Sequence, residues 1–196
     1  MHTATRIIRE EHAALSAMLR SILLLLAQHR KQAKQATAPD FASLRAMLFY
    51  VDEFPEKRHH RKESELLFPL LRARSPLARE QLDRLDQDHA RGELRVRELE
   101  HALLAYEMLG EPRRAHFEGT AQRYVDFYLE HMAIEERDIL PLAERVLTEP
   151  DWATLDEAFL SNRDAMAGAE PEADYRALFT RIVNTVAAPI GLGPAA

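Results

Sequence analysis

Apolar residues recur along this chain at helical spacing. Between Thr5 and about Lys34 they fall at Ile8, Leu15, Leu19, Ile22 and Leu26, the stripe of one long amphipathic helix. The segment "QATAPD" ends it, and Asp40 stands where an N-cap would open a second helix running from Phe41 to about Arg74. Pro55 predicts a bend in that helix, because proline lacks an N–H and its ring crowds the preceding turn; Pro69 predicts a disturbed last turn. Ser75–Pro76 reads as a cap followed by a first-turn proline, opening a third helix that lasts to Leu109. After "GEP", a fourth helix spans roughly Arg113 to Leu147, with Pro141 near its end. Four helices of about 30 residues, each about 45 Å long and joined by short connections, predict an all-α, up-down-up-down four-helix bundle. From "TEPDW" onward the pattern shortens to two helices, about 151–163 and 172–187, separated by "AGAEPEA" and closed by "APIGLGPAA". Residues 1–148 are thus expected to form the bundle and 149–196 a C-terminal helical appendage and tail.

The bundle carries a repeat. Moving the second helix by 72 positions lays His59, Glu63 and Pro69 on His131, Glu135 and Pro141, with Leu67 and Leu70 on Ile139 and Leu142. An offset of 77 lays Glu11–His12 on Asp88–His89 and carries Ile8, Leu19, Ile22 and Leu26 onto Leu85, Val96, Leu99 and Leu103. The longer first connection accounts for the difference between the offsets, so the chain reads as two copies of a helical hairpin. Spacing alone lets either His59 or His60 share a face with Glu63. The repeat selects His59, since His60 falls on Met132.

Composition narrows the chemistry. The 196 residues are 46% hydrophobic and 30% charged, with 6 Gly, which favours helix. A formal charge of −6 with interspersed signs argues against nucleic acid as a partner. With no cysteine, thiolate metal sites, iron–sulfur ligation, disulfides and thiol catalysis are excluded. The longest apolar run, "SILLLLA", is too short to cross a bilayer, and a soluble, cytoplasmic protein without a membrane partner is expected.

Each hairpin offers a histidine on its first helix and a His-x-x-x-Glu pair on its second, all on core-facing stripes. A lone histidine on an apolar face is ordinarily a packed core residue. Six residues matched in type and register across two halves point instead to a metal site built from His12, His59, Glu63, His89, His131 and Glu135. A buried, unpaired carboxylate is expected to take up a proton or find a partner, whereas a cation offsets the penalty and uses the imidazole nitrogens as ligands. Two bridging glutamates with two histidines per ion would leave room for a bridging oxygen and one exchangeable position. Such a donor set favours iron over magnesium or calcium, with manganese and zinc as alternatives. The remaining histidines, His2, His29, His60, His101 and His116, have no counterparts and are expected at the solvated surface, as are Glu65 and Glu136. Tyr128 lies on the histidine face, where core packing is the expected role and a hydrogen-bond donor or radical-prone neighbour behind the ligands the alternative.

With "EEHAAL", "HHRKESELLFPLL", "DQDHARGEL" and "EHMAIEERDILPLAERVL" in that order, the first 147 residues or so resemble the hemerythrin-like, or HHE cation-binding, family. The resemblance implies a non-haem di-iron centre with an oxo or hydroxo bridge, and places its ligands at the same six residues. Oxygen-carrying hemerythrins use His-x-x-x-His on the third helix and His-x-x-x-x-Asp on the fourth. Here Glu93 stands four after His89, and the fourth helix offers His-x-x-x-Glu. The difference points away from plain oxygen carriage and towards di-iron proteins implicated in repairing iron–sulfur centres, though the cysteine-containing region common there is absent.

Three functions follow as expectations. The centre takes a small oxidant or diatomic ligand (dioxygen, nitric oxide or peroxide) for sensing, storage or scavenging. Alternatively it is a di-iron enzyme, peroxidase-like or an iron-centre repair factor. In the third reading the chain is a helical interaction module with a structural metal, in which Trp152, Leu155 and Phe159, or Phe179 and Ile182, either cover the bundle or form a homodimer surface.

Overall fold

A computed structural model describes residues 2–32, 38–161 and 163–185. The described residues are helical, with no strand among them. The first helix, α1, is Thr3–Gln32. Its expected last residues, part of "QATAPD", the final residues of the last helix and the tail "APIGLGPAA" lie outside the described residues.

The second helix, α2, covers residues 41–74 without interruption. Asp40 caps it, its carboxylate accepting the Ser43 N–H at 3.0 Å. The expected disturbances at Pro55 and Pro69 take the form of widened π-helical turns, Asp52–His59 and Glu63–Leu67, set between α-helical segments. In these turns the N–H groups of His60 and Phe68 reach back five residues, to the carbonyls of Pro55 and Glu63. A proline has no N–H to give and crowds the carbonyl four residues before it; widening the turn relieves both conflicts.

The third helix, α3, is Arg79–Leu109 and begins later than Ser75–Pro76 suggests. The Ser75 N–H donates to Leu71 and so closes α2, while its hydroxyl accepts the Leu77 N–H at 3.2 Å and shapes a turn. Occupied as a terminator, Ser75 does not cap the next helix. Gly110, at φ 72°, makes the sharp reversal out of α3, and a 3₁₀ turn at Glu111–Arg113 leads into the fourth helix, α4, residues 114–146. That helix widens at Glu135–Ile139 just before Pro141, as α2 widens at Glu63–Leu67 before Pro69. The repeat therefore includes a π-turn that starts on each glutamate.

The appendage helices start at other positions than their pattern suggests: α5 is Glu149–Leu160, opened by a Thr148/Asp151 capping box, and α6, Arg176–Thr185 among the described residues, begins four residues later than expected. Trp152, Leu155, Phe159, Phe179 and Ile182 are all buried, so of the two uses expected for them the structure shows covering.

The apolar interior is divided in two. One cluster holds Leu15, Phe54, Val96, Tyr128 and Met132, together with Phe179 and Ile182 of α6. The other holds Ile8, Leu67, Leu85, Ile134 and Ile139, together with Trp152, Leu155 and Phe159 of α5. Along α1, α2 and α3, the residues between these clusters include His12, His59, Glu63 and His89. A buried polar layer thus crosses the core where apolar packing would otherwise be continuous, and burial of this kind is tolerated only when the groups are paired or ligated.

Candidate metal centre

The four long helices bring all six expected residues into this layer, each of them buried. His12 and His59 form one pair, Nε2 to Nε2 at 3.2 Å; His89 and His131 form the other at 3.0 Å. Two ligands placed side by side at ~2.1 Å from one ion stand about 3 Å apart, which is the spacing found here. Glu63 spans the pairs, with Oε1 3.2 Å from His59 Nε2 and Oε2 3.6 Å from His89 Nε2. Glu135 does the same, with Oε2 3.3 Å from His12 and Oε1 3.3 Å from His131. All four carboxylate oxygens are buried without a hydrogen-bond partner among the described residues. Orphaned oxygens of this kind, facing imidazole nitrogens, fit a cation. The donors fall into groups able to hold a metal, His12 with His59 and Glu63, and His89 with His131, Glu63 and Glu135.

The outer nitrogens are held as well. His59 Nδ1 donates to Glu11 at 2.7 Å and His12 Nδ1 to Glu136 at 3.1 Å. His89 Nδ1 lies 2.7 Å from the Ser64 hydroxyl, which donates to Asp86 at 2.9 Å. Asp88 stands 3.7 Å from His131 Nδ1, too far for a direct hydrogen bond but close enough for attraction. The acid preceding each first-helix histidine therefore serves the histidine of the following helix: Glu11 faces His59, and Asp88 faces His131. Fixing Nδ1 in this way turns Nε2 inward as the ligand atom. Glu136 is exposed, as expected, yet its carboxylate belongs to this outer shell.

Without metal, protons link the imidazoles and carboxylates. Burial opposes charge on His131, but attraction to Glu135 outweighs it and pushes the imidazole up to about 10. His59 is raised well above its ordinary value, Glu63 and Glu11 outweighing burial, and His12 is raised because the neighbouring Glu135 and Glu136 carboxylates outweigh burial. Burial and the Glu135 charge push Glu63 up, whereas His131 and His12 overcome burial to hold Glu135 well below the carboxylate range. Loading must displace the imidazolium protons, so acid release into a weakly buffered solution is the expected accompaniment of metal binding.

His60 corrects the sequence expectation: it is buried, not solvated. Its ring stacks on His89 and Tyr128, with centroids 4.3 and 5.4 Å away, and its Nδ1 lies 3.3 Å from Glu56. Burial raises Glu56 to about 7 even though the hydroxyls of Tyr128 and Tyr124 donate to it. Tyr128 packs in the core as expected and adds that hydrogen bond. The glutamate and Tyr128 lie against the bare Cα of Gly92 on α3, where a Cβ would collide with both. Gly92→Ala, although it raises helix propensity, is therefore expected to destabilise the protein by about 1–3 kcal/mol in urea unfolding. A stabilised variant would show that this cluster is loosely packed. Of the other histidines, His101 and His116 are exposed, His29 is half-buried, and half-buried His2 stacks on Trp152 at 4.1 Å. Glu65 is exposed and pairs with Arg61.

A cavity of about 10 Å³ adjoins the His12/His59 side, lined also by Glu11, Arg58, Lys62 and Asp164. That volume holds about one water-sized molecule. Asp164 comes from the C-terminal segment: its N–H donates to Glu11 at 3.1 Å, and its carboxylate accepts the Tyr50 hydroxyl.

A helical protein with a buried His/Glu layer of this composition is a metal-binding protein in its design. The family model of the hemerythrin HHE cation binding domain matches residues 3–143, and the chain belongs to that family. No curated protein and no solved structure is significantly similar to it.

Proposed function

We propose that the chain is a non-haem di-iron protein, built on an up-down-up-down four-helix bundle over residues 1–148, whose centre takes dioxygen, nitric oxide or peroxide for sensing, storage or scavenging. The observation that carries this is the set of four orphaned oxygens on Glu63 and Glu135, each facing the nitrogens of the two histidine pairs. His12 and His59 would hold one ion, His89 and His131 the other, and both glutamates would contribute to each. Bound iron supplies one-electron chemistry and a site for a small ligand. Around it, Glu11 and Glu136 orient imidazoles, and the apolar clusters above and below exclude bulk water. The small cavity at His12 and His59 favours ligands of diatomic size. No helix among the described residues is long and apolar enough to cross a membrane. Anaerobic ferrous protein exposed separately to dioxygen, nitric oxide and peroxide should change its optical spectrum with at least one of them; silence towards all three would end this reading.

Two carboxyls near the site favour an enzyme as the second reading. Burial lifts Glu56 to about 7 and Asp164 to about 6, so both can exchange protons near neutrality, as reduction of peroxide to water requires. Catalytic consumption of peroxide, as opposed to a single stoichiometric reaction, distinguishes the two.

A further inference from the structure

His60 has no place in the six-residue set, yet its surroundings are built like those of a ligand. Each of His12 and His59 has its Nδ1 on a carboxylate and its Nε2 in the polar layer. His60 shows the first half of that arrangement, with Nδ1 at Glu56. One ring nitrogen from each of His60, His89 and His131 can be chosen so that all three lie within 4.8 Å of one another. With Nδ1 turned to Glu56, the nitrogen left for that group is Nε2.

The cost of this arrangement argues that it does more than fill space. Glu56 is a buried carboxylate, and two phenol hydroxyls are brought in from α4 to stabilise it. A glycine sits within α3, at a cost of about 1 kcal/mol relative to alanine, to give the carboxylate and Tyr128 room. A histidine needed only for stacking would be served as well by phenylalanine, without a buried acid.

We propose that His60 is a fifth imidazole ligand, on the ion held by His89 and His131, positioned by Glu56 with Tyr124, Tyr128 and Gly92. The proposal rests on the di-iron reading above. It makes the ions unlike, three imidazoles on one and two on the other. Glu93, four residues after His89, plays no part, since it is exposed and faces Arg97. The neighbouring helix supplies the imidazole from a position that has no partner in the repeat.

The full chain loaded with cobalt(II) tests this without any substitution. Each ligating histidine whose Nδ1–H is retained gives a strongly shifted, solvent-exchangeable proton resonance, and signals from His12, His59, His60, His89 and His131 are expected. A loaded protein that shows signals for only four of them overturns the proposal. Iron-loaded His60→Phe keeps a ring for stacking and removes the nitrogens. Its Mössbauer spectrum should lose the wild-type signature of one ion, with affinity at that ion lowered at least about 10-fold; an unchanged spectrum and iron content would assign His60 to packing. Failure of the wild type to take up about two ions per chain would instead count against the di-iron reading itself.

Discussion

Glu63→Gln is expected to reduce bound iron from about two ions per chain to less than about one after gel filtration, measured by elemental analysis. Each glutamate faces both histidine pairs, so on the di-iron reading one substitution should weaken both ions, whereas His12→Ala should weaken one. Loss of an outer-shell partner typically costs about 10–100-fold in metal affinity, and loss of a shared ligand should exceed that. The metal-free variant should behave in the opposite sense. Glu63 is buried with both oxygens unpartnered and its carboxyl pushed up by burial and by Glu135. Neutralising it ends the conflict with Glu135 and with burial, which offsets the lost attraction to His59, so the chelated variant should melt no lower than chelated wild type. Iron retained by Glu63→Gln would show that this carboxylate is not a ligand. Loss of iron together with a collapsed metal-free fold would assign it a structural role.

Much of this site was legible because the chemistry is written twice. His59, Glu63 and Pro69 recur as His131, Glu135 and Pro141, and a repeat filters coincidence in a way that a single histidine on an apolar stripe does not. The same logic explains what was missed. His60 has Met132 as its counterpart, and a residue that makes the halves unlike is invisible to an argument from their likeness. Two signals pointed to it nonetheless: Glu56 lies four residues before it, at a spacing that shares a helix face, and Gly92 interrupts an otherwise strong helix three residues after His89. The delayed start of α3 had no comparable sign, because a Ser-Pro pair looks the same whether its serine closes one helix or opens the next.

Protons and metal compete for the same Nε2 atoms, so loaded and metal-free protein are expected to respond to pH in opposite directions. In the metal-free state His131 is raised to about 10, and His59 and His12 are raised too, by attraction to Glu135, Glu63 and their outer acids. A raised imidazole contributes stability that is complete below its unfolded value near 6.5 and is lost as pH climbs through the folded value. Glu56, raised to about 7, acts in the same sense. Glu135, held low, acts in the other, and its contribution is lost only in acid. The chelated protein should therefore lose melting temperature between about pH 7 and about pH 10, on the order of 10 °C if His131 alone supplies several kcal/mol. In the loaded protein the imidazoles must be neutral, so acid drives the metal out and the melting temperature should fall as pH drops below about 6. Saturating metal at about 1,000 times its dissociation constant adds about 4 kcal/mol, which should make the gap between the curves widen from acid towards alkaline pH. Melting curves of loaded and chelated protein across this range, at fixed ionic strength, measure that gap directly. Parallel curves would mean that metal and protons do not share these nitrogens, and the site would then have to be read as a proton-linked polar layer that holds the two halves of the core in register.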